Sequence, residues 1–330
     1  MAVTWRVTVA LLVAMSLATA CGDAGNDGTD APSGMDTSRV GPSTVVRIDA
    51  SSGAVRKVIR VGPDPLELRV AAGQIWTQNF GDGSMTRIDP VTERAVTVPA
   101  GKVAGLTTDG DDLWVAEDGN HLSKVDGRTG VEERTIQIGS TPLFEVGNAG
   151  FPAVGGGSIW LTVPKLGSPG AAQSLWRIEP ESGRVLAKIA IGRDPVPPFV
   201  EDGRVWVITA DGLLRVDMAS DQTTPIAVAS RPFGLAAGAG SLWVGHESPT
   251  EVWRLDPATG KPSAKVDVGE AVRGLAFGGG RLWVTTGTRL LSVDPATNKT
   301  GRKRTLTQAT ADEGPIGVAY LDDSVWVSVE

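Results

Sequence analysis

Leu242-Trp243-Val244, followed by Val252-Trp253-Arg254-Leu255-Asp256-Pro257-Ala258-Thr259-Gly260, is the stretch from which the fold can be read. A short apolar strand carries a tryptophan at its centre. A second strand ends on an acid, and the residues after it make a tight turn. Proline presets φ there, and glycine is free to take φ > 0. Upstream, Gly234-Leu235-Ala236 precedes a glycine turn at Gly238-Ala239-Gly240; downstream, a further strand from Ala264 to Val268 ends at Gly269. No window of useful length has helical periodicity.

The unit recurs along the chain. An apolar-Trp-apolar or closely similar triplet stands at Ile75-Trp76-Thr77, Leu113-Trp114-Val115, Ile159-Trp160-Leu161, Val205-Trp206-Val207, Leu242-Trp243-Val244, Leu282-Trp283-Val284 and Val325-Trp326-Val327. The tryptophans are spaced by 38, 46, 46, 37, 40 and 43 residues. A second mark, an apolar residue followed by an acid, recurs at Asp49, Asp89, Asp126, Glu179, Asp217, Asp256 and Asp294. Both registers count seven. Four strands in roughly 40 residues is the period of a β-propeller blade, so the expectation is an all-β, seven-bladed propeller over residues 44–330. The ends agree with it. Val45 to Val61 supplies a third and a fourth strand, whereas Ile316 to Val329 supplies a first and a second. Joined in one sheet, these halves close the ring and remove two exposed edges.

Composition narrows the function classes. Glycine is 42 of 330 residues, as a turn-rich β protein requires, and the formal net charge of −7 argues against a nucleic-acid footprint. One cysteine cannot form an internal disulfide, and two histidines leave little for a zinc site. Thr108-Asp109-Gly110-Asp111-Asp112 occupies the glycine-turn slot of its blade and reads as a hairpin rather than a metal loop. No metal or cofactor site is expected.

The first 20 residues read as an address. Arg6 precedes an apolar run from Val7 to Ala18, too short to span a bilayer and suited to a signal-peptide core. Leu17-Ala18-Thr19-Ala20-Cys21-Gly22 resembles the lipobox of bacterial lipoproteins, with Ala18 where leucine is most frequent. That resemblance implies acylation of Cys21 and a membrane anchor. The alternative is ordinary secretory cleavage, which leaves Cys21 as a spare thiol. Residues 21–43, rich in Gly, Ser, Thr and Asp, read as a flexible tether.

Units such as Val266-Asp267-Val268-Gly269, Leu282-Trp283-Val284 and Leu291-Ser292-Val293-Asp294-Pro295-Ala296-Thr297-Asn298 resemble the bacterial YVTN-type β-propeller repeat. Such propellers bind, scaffold and occasionally catalyse. More distantly, the ring is similar to streptogramin (virginiamycin B) lyase, which implies a catalytic histidine, nearby acids and magnesium. Only His121 and His246 could serve, and the lyase-like blade pattern is not reproduced around either.

Propeller geometry separates two faces. Turns between first and second and between third and fourth strands lie on one face; second-to-third loops and blade crossings lie on the other. The latter loops vary in length, as recognition loops on a rigid frame do. The third blade is expanded at the crossing Gly139 to Ala153, with Phe144, Glu145 and Phe151, and at the loop Pro164 to Ser174, with Lys165. Around the same rim come Arg193, Asp194 and Phe199, then Arg231 and Phe233, then His246 and Glu247, then Arg273. This mixture suits a polar small ligand or a protein partner. His246-Glu247 is weighed as a general acid/base pair against a solvent-exposed polar loop, and the loop is favoured. The expected function is that of a noncatalytic binding module in the bacterial cell envelope; the alternative is a magnesium-dependent lyase.

Overall fold

Alternation along each tryptophan strand turns its side chains to two opposite faces, and both faces are covered. In Ser241–His246, Leu242, Val244 and His246 point one way and Trp243 the other, and all four are buried. A strand buried on both sides needs a sheet neighbour on each side, which a ring of blades provides. The computed structural model describes residues 40–98, 100–117, 120–138, 150–163, 173–307 and 314–330. Among these, 28 strands form seven antiparallel four-stranded sheets. Blade 5 is typical, running from the inner strand Pro232–Gly238 through Ser241–His246 and Glu251–Leu255 to the outer strand Pro262–Asp267. The chain is a seven-bladed β-propeller.

The ring closes as the repeat pattern requires. In blade 7 the sheet order is Val55–Arg60, Thr44–Asp49, Ser324–Val329 and Pro315–Leu321, so both chain ends share one sheet. Thr44 pairs with Val329 and Asp49 with Ser324, in unbroken register. The Asp109–Asp112 segment is a tight hairpin turn with Gly110 at φ 63°. Phe144, Glu145, Lys165 and Cys21 lie outside the described residues.

The core is distributed among the seams between blades. Seven clusters of buried apolar residues fall one to each seam among the described residues, such as Trp243, Val252, Leu282 and Val284 between blades 5 and 6. Trp76, Trp114, Trp160, Trp206, Trp243 and Trp326 are all at most 1% exposed. A buried tryptophan removes about 150–250 Å² from water, which corresponds to about 4–6 kcal/mol before entropy is counted. Inner strands approach closely at some seams. A Cβ on Gly317 would collide with the Leu66 carbonyl of blade 1, and one on Gly274 with the Ile316 carbonyl of blade 7.

Polar bonds fix the blade-to-blade register. The residue cross-strand from the tryptophan is basic in six blades: Arg47, Arg87, Lys124, Arg177, Arg215 and Arg254. Arg254 lies over Trp243, 5.2 Å from its ring centre, and donates to the Pro295 carbonyl of blade 6 at 2.6 Å. Arg47 does the same over Trp326 and bonds Pro90 at 2.9 Å. Arg177 over Trp160 bonds Met218 at 3.1 Å. Arg87 and Arg215 reach the carbonyls of Arg128 and Ala258. In blade 2 the bond comes from Arg134 on the outer strand, which lies over Trp114 and donates to Pro180 at 3.1 Å. In every case the acceptor lies in the turn between the next blade's third and outer strands. Those turns are themselves braced by the recurrent acid. Asp256 Oδ1 accepts the N–H groups of Ala258 and Thr259 at 2.9 and 2.8 Å, and five other blades repeat this. The Thr259 N–H and hydroxyl hold the Asp256 carboxyl below the ordinary range.

Two outcomes test this account. Deleting residues 316–330 should yield insoluble protein, because it exposes the edge of Thr44–Asp49; a soluble truncation that melts cooperatively would contradict closure. Arg254→Ala should lower stability in urea unfolding by about 1–3 kcal/mol, the range for a hydrogen bond from a charged donor.

Candidate functional site

Three successive blades carry an arginine–carboxylate pair on the face of the blade crossings and second-to-third loops. Each pair links the crossing into a blade to a later part of that blade. At blade 4, Arg193 meets Asp211 at 3.0 Å. At blade 5, Arg231 meets Glu247 at 2.6 Å, and the Glu247 N–H also donates to the Arg231 carbonyl at 3.0 Å. At blade 6, Arg289 meets Glu270, which also accepts the Thr286 hydroxyl at 2.7 Å and the Thr288 hydroxyl and N–H at 3.1 and 3.2 Å. Burial pushes the Glu270 carboxyl up, but Thr286, Thr288 and Arg289 together outweigh it and hold the group below its ordinary value. Glu117, at the same level of blade 2, behaves oppositely. Burial and then the neighbouring Glu132 raise it.

The backbone at two of these crossings is unusual. Asp194 has φ 47° and Arg231 φ 53°. Aspartate visits this left-handed region readily, but a long unbranched side chain does so at a cost of about 1 kcal/mol or more. The Glu247 ion pair and backbone bond hold Arg231 in place. Arg193 and Arg231 remain half exposed (50% each), so their charges face solvent.

The other expected residues divide. Phe233 and Arg273 sit half-buried at equivalent irregular positions of their inner strands, each one residue after the pairs Pro232–His246 and Val272–Thr286. Phe151 marks the start of blade 3's inner strand, exchanging bonds with Thr162 and lying against Gly105 of blade 2. Phe199 does not reach the rim. It lies opposite Trp206 in Phe199–Glu201 and packs against the blade 4–5 core. Sequence reasoning singled out Arg193 and Glu247 but missed their partnership with Asp211 and Arg231. It also missed Glu270, Thr286, Thr288 and Arg289 altogether. Thr286 ends one strand and Arg289 begins the next, and only the blade geometry shows that both meet Glu270 of the crossing.

His246 corrects the exposed-loop expectation. The tryptophan strand runs one residue further than its apolar triplet suggests, which carries His246 onto the same face as Leu242 and Val244. It is fully buried, its ring lies 5.1 Å from that of Trp253, and Nδ1 is 3.3 Å from the Glu251 carbonyl oxygen. Nε2 is buried without a hydrogen-bond partner among the described residues. Glu247 points elsewhere, to Arg231. Burial pushes the His246 pKa down, so the ring is neutral at neutral pH. One other cluster has the ligand types of a metal site: Asp112, Asp126 and Glu133 lie close together. The Lys124 ammonium contacts two of them, Asp112 at 2.6 Å and Glu133 at 3.2 Å, and supplies a counter-charge.

No protein-family model matches the chain, and no curated protein sequence matches it. Solved structures resemble it in shape. The computationally designed Ika8 protein superimposes with a TM-score of 0.61 at 13% identity, over 87% of this chain and 91% of that one. Apo AztD from Citrobacter koseri gives 0.61 at 13% identity, over 87% of each chain. BamB from Moraxella catarrhalis gives 0.50 at 14% identity, over 87% of this chain and 92% of its own. At such identities the likeness is one of fold alone.

The buried histidine gives the protein a pH signature. Its folded pKa lies below the unfolded value of 6.5, so the unfolded chain takes up the proton first as pH falls. The stability contributed by the neutral ring is therefore complete above about pH 6.5 and is lost as pH drops below it. Between about pH 6.5 and 5 the melting temperature of the wild-type chain should fall more steeply than that of His246→Asn. Parallel curves would show that the ring is not held neutral.

Proposed function

We propose that this chain is an exported, lipid-anchored propeller of the YVTN type that acts as a noncatalytic binding module in the bacterial cell envelope. Its partner is a protein or a small polar ligand, engaged at the rim of blades 4 to 6. The observation that carries the reading is the run of three arginine–carboxylate pairs on one face, each tying a blade crossing to its own blade on a fixed frame. A half-exposed ion pair on a loop contributes little to folding. It offers a charged partner both a donor fork and an acceptor, and it sets orientation and encounter rate more than raw affinity. Phe233 and Arg273, at equivalent positions of the inner strands of blades 5 and 6, are the apolar and basic elements of the same mouth in this reading.

The magnesium-dependent lyase alternative needs a histidine and an acid acting together. His246 turns into the core and Glu247 turns to Arg231, so the pair that the alternative names is divided. The acylation site at Cys21 and the tether that follows it supply the envelope location in this reading, and they rest on the sequence motif.

Three arms of one experiment separate the possibilities. The full-length chain is expressed in a bacterial host, and fractions are analysed by mass spectrometry of co-purifying material. Cys21→Ser should move the protein from the membrane to the soluble fraction; retention in the membrane would refute the anchor. Arg193→Ala combined with Arg231→Ala should reduce recovery of the partner by about tenfold, equivalent to ~1.4 kcal/mol. His246→Asn and a chelator should leave recovery unchanged. If instead they remove a measurable turnover, the lyase reading replaces this one.

A further inference from the structure

The basic residue that joins each blade to the next is absent from one seam. Cross-strand from Trp283 in blade 6 stands Ser292. The residue is 2% exposed, and no hydrogen bond to its hydroxyl is present among the described residues. Where the arginine would run toward the turn of blade 7, a cleft of about 660 Å³ opens instead. Ser292 and Trp283 belong to its wall, with Arg281, Arg302, Tyr320 and Ser51 around them. Its position is the face of the short turns, opposite the paired rim.

Comparison with the seam between blades 2 and 3 shows what the cleft lacks. There, Arg134 comes from the outer strand, bonds the turn carbonyl of Pro180 and pairs with Glu181, two residues after the acid Glu179. Here, Arg302 likewise comes from the outer strand and lies against Gly53 of the blade 7 turn. The residue two after Asp49 is Ser51, however, and Arg302 has no ion pair or hydrogen bond among the described residues. Arg281 has only a long contact, 4.0 Å, to Asp294. The acids at the cleft are already engaged. Asp49 accepts the Arg56 guanidinium and the turn N–H groups, and Asp323 accepts the Tyr320 hydroxyl at 2.8 Å. A neutral phenol leaves the Asp323 charge in place, so what the cleft holds out to an anion is the open hydrogen-bonding fork of Arg302 rather than an excess of positive charge. Trp283 has its N–H bonded to Gly278 at 3.1 Å, but no arginine or lysine covers its ring among the described residues, as Arg254 covers Trp243. The smaller cleft on the other side of blade 7, about 350 Å³, contrasts with it: there Arg47 and Arg56 are both ion-paired.

We propose that the cleft between blades 6 and 7 binds a small planar organic carboxylate. Its carboxylate sits on the Arg302 guanidinium, with Arg281 adding charge and the Ser292 hydroxyl a hydrogen bond. Its flat body lies beside Tyr320, above the floor to which Trp283, 4% exposed, contributes. Arginine's fork matches a carboxylate in two parallel bonds, and an aromatic wall favours a planar body over a compact hydrated ion. This site is independent of the rim, and either reading can fail without the other.

The test is calorimetric titration of the full-length chain with three probes: benzoate, benzamidine (the cation of the same shape) and inorganic phosphate. Benzoate should bind, benzamidine should not, and phosphate should bind at least about tenfold more weakly than benzoate. Arg302→Gln, at an exposed position, should weaken benzoate by about tenfold without changing the melting temperature. Ser292→Arg, which supplies the missing side chain, should abolish benzoate binding while keeping or raising the melting temperature. The proposal is overturned by any of four results: no benzoate binding up to about 10 mM, preference for benzamidine, phosphate binding as tightly as benzoate, or benzoate affinity unchanged in Arg302→Gln. Should Ser292→Arg fail to fold, the Arg302→Gln comparison still decides.

Discussion

An arginine held between a tryptophan ring and a carbonyl of the next blade is the contact on which this wheel depends. The tryptophan alone would bury area without direction, since apolar contact leaves neighbouring sheets free to slide. The guanidinium adds the direction. It lies across its own blade's ring and donates to a fixed atom of the neighbour, which is how Arg47, Arg177 and Arg254 set the stagger of their seams. On the inner side, side chains of the tryptophan strands complete the joint. Thr285 donates to Ile316, Ser328 to Leu66 and Gln78 to Val103, each in the following blade. Two seams, between blades 7 and 1 and between blades 1 and 2, are thus tied at two radii, and the seams rather than a central nucleus hold the core.

The two faces of the ring follow from this arrangement. Turns that accept the arginines must be short and alike, because an acceptor displaced by even 1 Å loses the bond. Their acids are accordingly used inward, as at Asp256, whose Oδ1 braces its own turn. The opposite face carries no such duty, and its loops are free to differ. There the charges pair with one another, as Arg231 does with Glu247, and remain near water. The cleft beside Ser292 is the one described place on the turn face where a seam is tied only at its inner radius, through Thr285 and Ile316.

Much of the fold was legible because two residue types repeat with the period of the blade. Tryptophan marks the second strand and an acid marks the end of the third, and both marks fall where the strands are found. A basic residue stands two positions before the acid in six of the seven blades, from Arg47-Ile48-Asp49 to Arg254-Leu255-Asp256. Its meaning was hidden because its acceptor lies 41 to 43 residues ahead at Arg47, Arg177 and Arg254, in another sheet. The departure at Ser292-Val293-Asp294 could have been noticed by the same comparison. The rim was legible residue by residue but not as pairs. His246 was misplaced because a polar side chain after an apolar triplet looks like a loop, while the strand continues through it by parity.

Blade 7 also dictates a timetable. Its middle pair of strands joins residues as far apart in sequence as Arg47 and Ser324, 277 positions. A chain emerging N-terminus first from a ribosome or a translocation pore carries an unsatisfied leading strand until its last segment arrives. During that interval the strand can zip onto a sister molecule as easily as onto its own tail. Assembly of this wheel is therefore governed by when the tail is released, and an escort that shields residues 44–49 until then would act on yield without touching the finished protein.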